Sequence, residues 1–370
     1  MKIGILTQPL RTNYGGLLQA YALQIVLKRM GHEVVIVNRC YTDPTKSILS
    51  RILRVKNLII GRDVPCKDIK KISFAEENTQ RFIEQRYSLT EAIYTTNGLV
   101  ACLEKEKLNA LVVGSDQVWR PRYSPNIFNY FLDFTEGKDV KRYSYAASFG
   151  VDTWEYNQAE TEKCSQLAQL FDGITVRESS AVKLCKENLK VKAELVLDPT
   201  LLLFPQDYMQ LLGDDTKKSD GELFTYVLDS GDEKNVIIEH VSKNTNYQPF
   251  TCMPKLKLTH KNAKNNLKNC QFPAVEQWIQ SFIDAKMVVT DSFHGTVFSI
   301  IFNKPFWVVA NPRRGNTRME SLLDLFDLKD RMITEELLVV RDLNAPIDWD
   351  KVNKKKNEWR AKSMEFLKNI

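Results

Sequence analysis

The feature that most constrains this chain is a repeated alternation of a short apolar run, a polar turn and a stretch of helical spacing. Residues 3–7 form the first apolar run, and Arg11-Thr12-Asn13-Tyr14-Gly15-Gly16 the turn. Residues 17–30 form the helical stretch, closed by Gly31, and residues 34–37 are the next run. A short run that is apolar throughout fits a parallel strand buried on both faces. Strand, helix and second strand make the unit of a doubly wound sheet. Strand-like runs return at 110–113, 142–148, 173–176 and 194–197, with helices predicted over 158–170 and through about residue 188. A second series has strands at 223–228, 287–290 and 306–309, and helices at 233–244, 277–284, 296–302 and 319–325. A charged helix is expected over 349–367.

The expected fold class is therefore α/β, with two Rossmann-like domains facing across a cleft. The chain divides into residues 1–200, residues 207–340 and a C-terminal helix at 349–370. Ligands in such sheets bind at the carboxyl ends of the strands, where the polar turns fall. Residues 44–72 break the rhythm: basic residues dominate, and Ile48, Leu49, Ile52, Leu53, Ile59 and Ile60 fall at helical spacing. Such a basic amphipathic insert either lies on an anionic membrane or is an ordinary surface helix over the core.

Composition narrows the class further. With 43% hydrophobic and 26% charged residues, the chain reads as a soluble globular protein. A formal charge of +6 is a mild excess, and the aromatic residues are not interleaved with basic ones, so no nucleic-acid partner is expected. The seven cysteines lack C-x-x-C spacing and read as reduced thiols. No H-E-x-x-H, Walker A lysine or paired-carboxylate motif occurs, so no metal is expected. The N-terminal apolar run is too short for a signal segment, and no stretch approaches the roughly 18 apolar residues of a membrane span, so the expected location is cytoplasmic.

Five turns carry candidate chemistry. Asn13-Tyr14-Gly15-Gly16 either brings backbone close to a ligand at a helix N-terminus or is a tight turn. In Gly114-Ser115-Asp116-Gln117-Val118-Trp119, Asp116 and Gln117 either bind sugar hydroxyls with Trp119 stacked on a ring, or Ser115 or Asp116 caps a helix with Trp119 in the core. Arg177 offers a fork for phosphate or carboxylate, or pairs with a neighbour. His294, one of four histidines, follows a strand in Asp291-Ser292-Phe293-His294-Gly295-Thr296. It is the natural acid–base group of the set, with Asp291 to orient the imidazole and Ser292 to donate a hydrogen bond. Arg313, Arg314 and Arg318, in a Gly/Pro loop beyond the next strand, either clamp an anion or face solvent.

Taken with Tyr145-Ala146-Ala147-Ser148-Phe149-Gly150, Val176-Arg177-Glu178 and Asp198-Pro199-Thr200, these motifs make a chain that resembles the polysaccharide pyruvyl transferase family along nearly its whole length. The resemblance implies a fold like that of type-B glycosyltransferases (GT-B-like). The implied activity is transfer of the enolpyruvyl unit of phosphoenolpyruvate to two hydroxyls of a sugar, giving a pyruvate ketal and phosphate. Phosphoenolpyruvate would be a co-substrate, with no further cofactor. The acceptor would be a surface-polysaccharide or lipid-linked sugar; the basic 44–72 segment, not the resemblance, carries the further expectation that it is met at the inner face of the membrane.

The resemblance implies Arg177 as a contact to phosphoenolpyruvate and His294 as catalytic or donor-binding. Ser292, Gly295, Thr296, Arg313, Arg314 and Arg318 complete the expected donor side. Asn13, Tyr14, Gly15, Gly16, Ser115, Asp116, Gln117 and Trp119 form the expected acceptor side. Many members carry arginine two residues before the histidine, where this chain has Ser292. Either one of Arg313, Arg314 and Arg318 supplies that charge, or the donor differs. The alternative function is glycosyl transfer from a nucleotide sugar; a third is sugar binding without turnover.

Overall fold

In the computed structural model, which describes residues 1–41, 64–229, 231–311, 316–338 and 340–370, the apolar runs form two parallel sheets. The first contains β1 (Lys2–Leu6), β2 (Glu33–Ile36), β3 (Ala110–Asp116), β4 (Lys141–Ala147), β5 (Gly173–Val176) and β6 (Glu194–Leu195). Their spatial order is β2-β1-β3-β4-β5-β6. The second contains β7 (Leu223–Tyr226), β8 (Pro249–Phe250), β9 (Met287–Thr290), β10 (Phe306–Val309) and β11 (Met332–Ile333), in the order β11-β10-β9-β7-β8. β3, β9 and β10 are buried at every residue, as unbroken apolar runs require when helices cover both faces.

Each order contains a reversal. β1 lies between β2 and β3, and β7 lies between β8 and β9. Chain connections leave such a strand in opposite directions, so a crevice opens beyond its carboxyl end. The two crevices share one cleft, which takes Gln8, Asn13 and Asp116 from the first lobe and Asp229 and Arg318 from the second.

The helix Tyr14–Arg29 fixes the lobes together. Asn13 caps it by accepting a hydrogen bond from the Gly16 amide, Lys28 and Arg29 end it, and Gly31 follows at φ +88°. Tyr14 packs on Trp278 of the second lobe, with ring centroids 5.7 Å apart, and donates its hydroxyl to the Pro273 carbonyl at 2.8 Å. Trp278 also meets Tyr226, Phe282 and Phe298, so one apolar core runs through both lobes.

Two helices cross from one lobe to the other. Ile69–Arg86 belongs to the first lobe in sequence, yet the Phe272 amide donates to the Ala75 carbonyl at 2.8 Å and Asn78 donates to the Phe272 carbonyl at 2.8 Å. Trp349–Lys368 follows the second lobe and returns to the first. There Ser363 accepts from the Leu197 amide, Arg360 donates to the Leu201 and Leu203 carbonyls, and Phe366 packs against Tyr143 and Tyr145.

Of the basic insert expected at 44–72, residues 44–63 lie outside the described residues. Its remainder pairs with the second lobe through an antiparallel bridge between Pro65 and Thr259. Edge strands β8 and β11, two residues each, are too short to leave a periodic signal. Truncating Trp278 to Ala removes a fully buried ring between the lobes and is expected to cost about 3–5 kcal/mol of stability, read as a lower midpoint of urea denaturation.

Candidate functional site

A cavity of about 540 Å³ occupies the cleft, lined by Gln8, Pro9, Asn13, Tyr41, Asp116, Gln117, Tyr123, Asp229 and Arg318. A smaller one of about 70 Å³ adjoins it around His294, sharing Asn13, Asp116, Gln117 and Arg318 and adding Asp291, Ser292, Phe293, Asn311 and Asn316. His294 therefore stands at the inner end of the cleft, and Arg318 borders both spaces.

His294 comes from the first turn of the helix Phe293–Ile301. Ser292 caps that helix, its hydroxyl accepting from the Gly295 amide at 3.4 Å. The amide ends of this turn and their partial positive charge lie beside the smaller cavity, an arrangement that favours anions. The imidazole Nε2 faces an Asp198 carboxylate oxygen at 3.5 Å.

Asp198 follows β6 in the first lobe and gathers donors. Arg177 donates to it at 2.7 Å, the Thr200 amide and hydroxyl at 3.0 and 2.6 Å, and the Ser115 hydroxyl at 3.4 Å. Burial would raise the Asp198 carboxyl, but His294, Arg177 and Thr200 together outweigh it and hold the group well below the usual carboxylate range. Arg177 also donates to Asp116 at 3.3 Å, and its side chain is 1% exposed. Glu178 accepts from Ser148 and from the Phe149 and Gly150 amides, and burial pushes its carboxyl up against the pull of Arg177 and Arg318.

Several expectations need correction. Asp291 does not orient the imidazole among the described contacts. It accepts from the Leu228 and Asp229 amides, from Asn311, and from Lys234 at 2.5 Å, which ties together the loops at the second sheet's crevice. The carboxylate facing His294 is Asp198, quoted in a motif but not foreseen as a site residue. Trp119 is fully buried, donates to the Tyr130 carbonyl and stacks on Phe131 at 5.0 Å, so it belongs to the core. Tyr14 is likewise buried between the lobes. Gly295 and Thr296 close the first turn: their amides donate to the Ser292 hydroxyl and carbonyl, and the Thr296 hydroxyl donates to the Ser292 carbonyl as well. Ser115 is fully buried behind Asp116, and its amide donates to Gln19.

The other expected residues divide. Asn13, Asp116, Gln117, Ser292, His294 and Arg318 line the cavities. Arg177 stands behind them, in the ion pairs just described. Arg313 and Arg314 lie outside the described residues. Gly15 approaches a side chain rather than a ligand: a Cβ there would fall 2.1 Å from His294 Nδ1, so only glycine lets the imidazole occupy its place. Sequence reasoning missed Tyr41 and Tyr123, which wall the larger cavity and are linked by a 2.6 Å hydrogen bond from the Tyr41 hydroxyl to the Tyr123 carbonyl. Neither carries a local signal. Among the described residues no group of three or more His, Cys, Asp or Glu side chains is placed to hold a metal.

The lowered Asp198 carboxyl makes a pH prediction. Its stabilising effect is fully present above the unfolded carboxylate value of about 3.9 and is lost as pH falls toward the depressed folded value. Thermal melts between about pH 2 and 6 should show this acid-side loss, and Asp198→Asn should flatten it while lowering stability at neutral pH.

Comparison with known proteins places these observations. No curated protein matches the chain. Among solved structures, UDP-GlcNAc 2-epimerase from Methanocaldococcus jannaschii superposes with a TM-score of 0.52 at 13% identity, covering 99% of this chain and 100% of the other. UGT71G1 from Medicago truncatula, complexed with UDP-glucose, superposes with a TM-score of 0.50 at 11% identity, covering 100% and 98%. At these identities the likeness concerns the fold, which is of the GT-B type. The polysaccharide pyruvyl transferase family model matches residues 13–313, a span holding the Asn13 turn, Asp116, Arg177, Asp198 and His294. The chain belongs to the polysaccharide pyruvyl transferase family and is a transferase.

Proposed function

We propose that this protein transfers the pyruvyl group of phosphoenolpyruvate to two hydroxyls of a sugar in a surface-polysaccharide or lipid-linked precursor, forming a cyclic ketal. One observation carries the reading: His294 and Arg318 flank a helix N-terminus in a small cavity that opens directly into a larger polar one. The small space suits a compact anion, and the large one a sugar.

The chemistry needs two protons moved and one phosphate released. A proton reaches the methylene carbon of the enolpyruvyl unit, and one sugar oxygen bonds to its C2. The C2–O bond to phosphate breaks, and a second sugar oxygen takes that place. Of the two hydroxyl protons, one is balanced by the new methyl group and the other leaves with phosphate. Arg318 and the helix amides bind the anion and balance the charge that phosphate carries away. His294 moves a proton, steadied by Asp198 in the way a carboxylate steadies a catalytic imidazole. Arg177 holds Asp198 and Asp116 in place.

On the acceptor side, the Tyr41 and Tyr123 rings offer apolar faces for a sugar, and Asp116, Gln117 and Asn13 offer hydroxyl partners. Among the described residues no helix is long and apolar enough to cross a membrane. The basic 44–72 segment would bring the enzyme to a lipid-linked acceptor at the inner membrane face, and co-sedimentation with anionic vesicles tests this: no binding at low salt sinks it.

A second reading, glycosyl transfer from a nucleotide sugar, is favoured by the uncharged Ser292 beside the anion site. Calorimetry with phosphoenolpyruvate and with a nucleoside diphosphate separates the two. Phosphate release in the presence of lipid-linked sugars measures turnover. His294→Ala should lower it by about 100- to 10,000-fold, and full activity in that variant would remove His294 from the mechanism. Gly15→Ala, which drives a methyl group into the imidazole, should cost about 100-fold in kcat with an intact fold.

A further inference from the structure

Two arginines from different lobes lie over the Phe293 ring. The Arg177 guanidinium lies 4.3 Å from the ring centroid and that of Arg318 lies 5.8 Å from it. Both distances fall within the range over which an aromatic face attracts a cation. The ring is 7% exposed and fixed at the first position of the His294 helix, where Ser292 caps the turn. It therefore moves with the catalytic imidazole rather than with a loop.

The arrangement answers a physical problem. Two guanidinium groups brought together in a buried region repel each other. Burial, and then Arg177, push the Arg318 group down to about 10. Arg177 is committed to Asp198 and Asp116 and lines neither cavity, whereas Arg318 borders both. An aromatic face accepts two cations without adding a negative charge that would repel an incoming anion. A carboxylate at position 293 would hold the arginines as well but would oppose the donor.

We propose that Phe293 is a positioning residue: its ring holds the Arg318 guanidinium at the edge of the anion site by cation–π contact, and anchors it across the cleft to Arg177. This rests on the reading of that site as the donor site, and it assigns the donor's cation to Arg318 rather than to position 292. Because the clamp takes one arginine from each lobe, the anion site is complete only when the lobes are in register.

Steady-state kinetics with varied phosphoenolpyruvate test it in Phe293→Leu, Phe293→Tyr, Arg318→Met and the Phe293→Leu/Arg318→Met double variant. Phe293→Leu should raise KM for phosphoenolpyruvate by about 3- to 30-fold and leave kcat within about threefold. Phe293→Tyr, which keeps the ring, should bring KM back to within about twofold of the parent. In the Arg318→Met background, which has no cation to hold, adding Phe293→Leu should change KM by less than about twofold, the mark of a shared interaction. An unchanged KM in Phe293→Leu, or fully additive effects in the double variant, would overturn the proposal. Should Phe293→Leu not fold, as judged by circular dichroism, Phe293→Met takes its place with the same expectations. If the parent protein itself does not bind phosphoenolpyruvate, the donor assignment fails. The clamp is then tested by calorimetry with inorganic phosphate, where Phe293→Leu must bind more weakly for it to stand.

Discussion

The Asp198 carboxylate is the point on which the rest of the site depends. It is buried, and a buried carboxylate without partners is costly. Arg177, Thr200 and Ser115 supply those partners from three segments of the first lobe, and His294 faces it from the second. Arg177 is in turn shared with Asp116, and its guanidinium rests on Phe293. Each group is thus held by at least one other, so the site's geometry follows from charge balance as much as from packing. Gly15 completes the arrangement by leaving space for the imidazole.

A second carboxylate does comparable work in the other lobe. Asp291 draws together two backbone amides, Lys234 and Asn311, and so shapes the crevice beyond β7 and β9. Its neighbour in sequence is the capping Ser292, and beyond Phe293 comes His294. The helix that presents the imidazole is therefore anchored at its start by Asp291 and Ser292, and faces Asp198 from a fixed direction. The two aspartates are chemically alike yet serve different lobes of one site.

The strands were legible in the sequence because parallel strands covered on both faces must be apolar throughout. Their carboxyl-end turns, and with them Asn13, Asp116, Gln117, Ser292 and His294, were legible for the same reason, whereas Arg318, expected in a loop, is the second residue of the helix Thr317–Leu325. What could not be read was which way each side chain turns. Trp119 follows a polar turn and invites a role in binding, but its ring finds Phe131 and its indole N–H finds a carbonyl in the core. Asp291 is close to His294 in sequence but turns toward its own sheet. Asp198 is remote in sequence and close in space, and only the meeting of the lobes reveals it. Tyr41 faces the cavity from a loop and Tyr123 from the single 3₁₀ turn Pro121–Tyr123, neither long enough to leave a periodic signal.

The helix Trp349–Lys368 follows the whole second lobe in sequence, yet its last turns cover β4 and the end of β6 in the first, where Ser363, Phe366 and Arg360 make their contacts. During synthesis the first lobe therefore waits, with part of its apolar surface bare, until the second has left the ribosome. A cut between the lobes would part the first from the helix that covers β4 and the end of β6. The surface that this helix covers stays open until the helix is made, and the pace at which the second lobe emerges sets how long that exposure lasts.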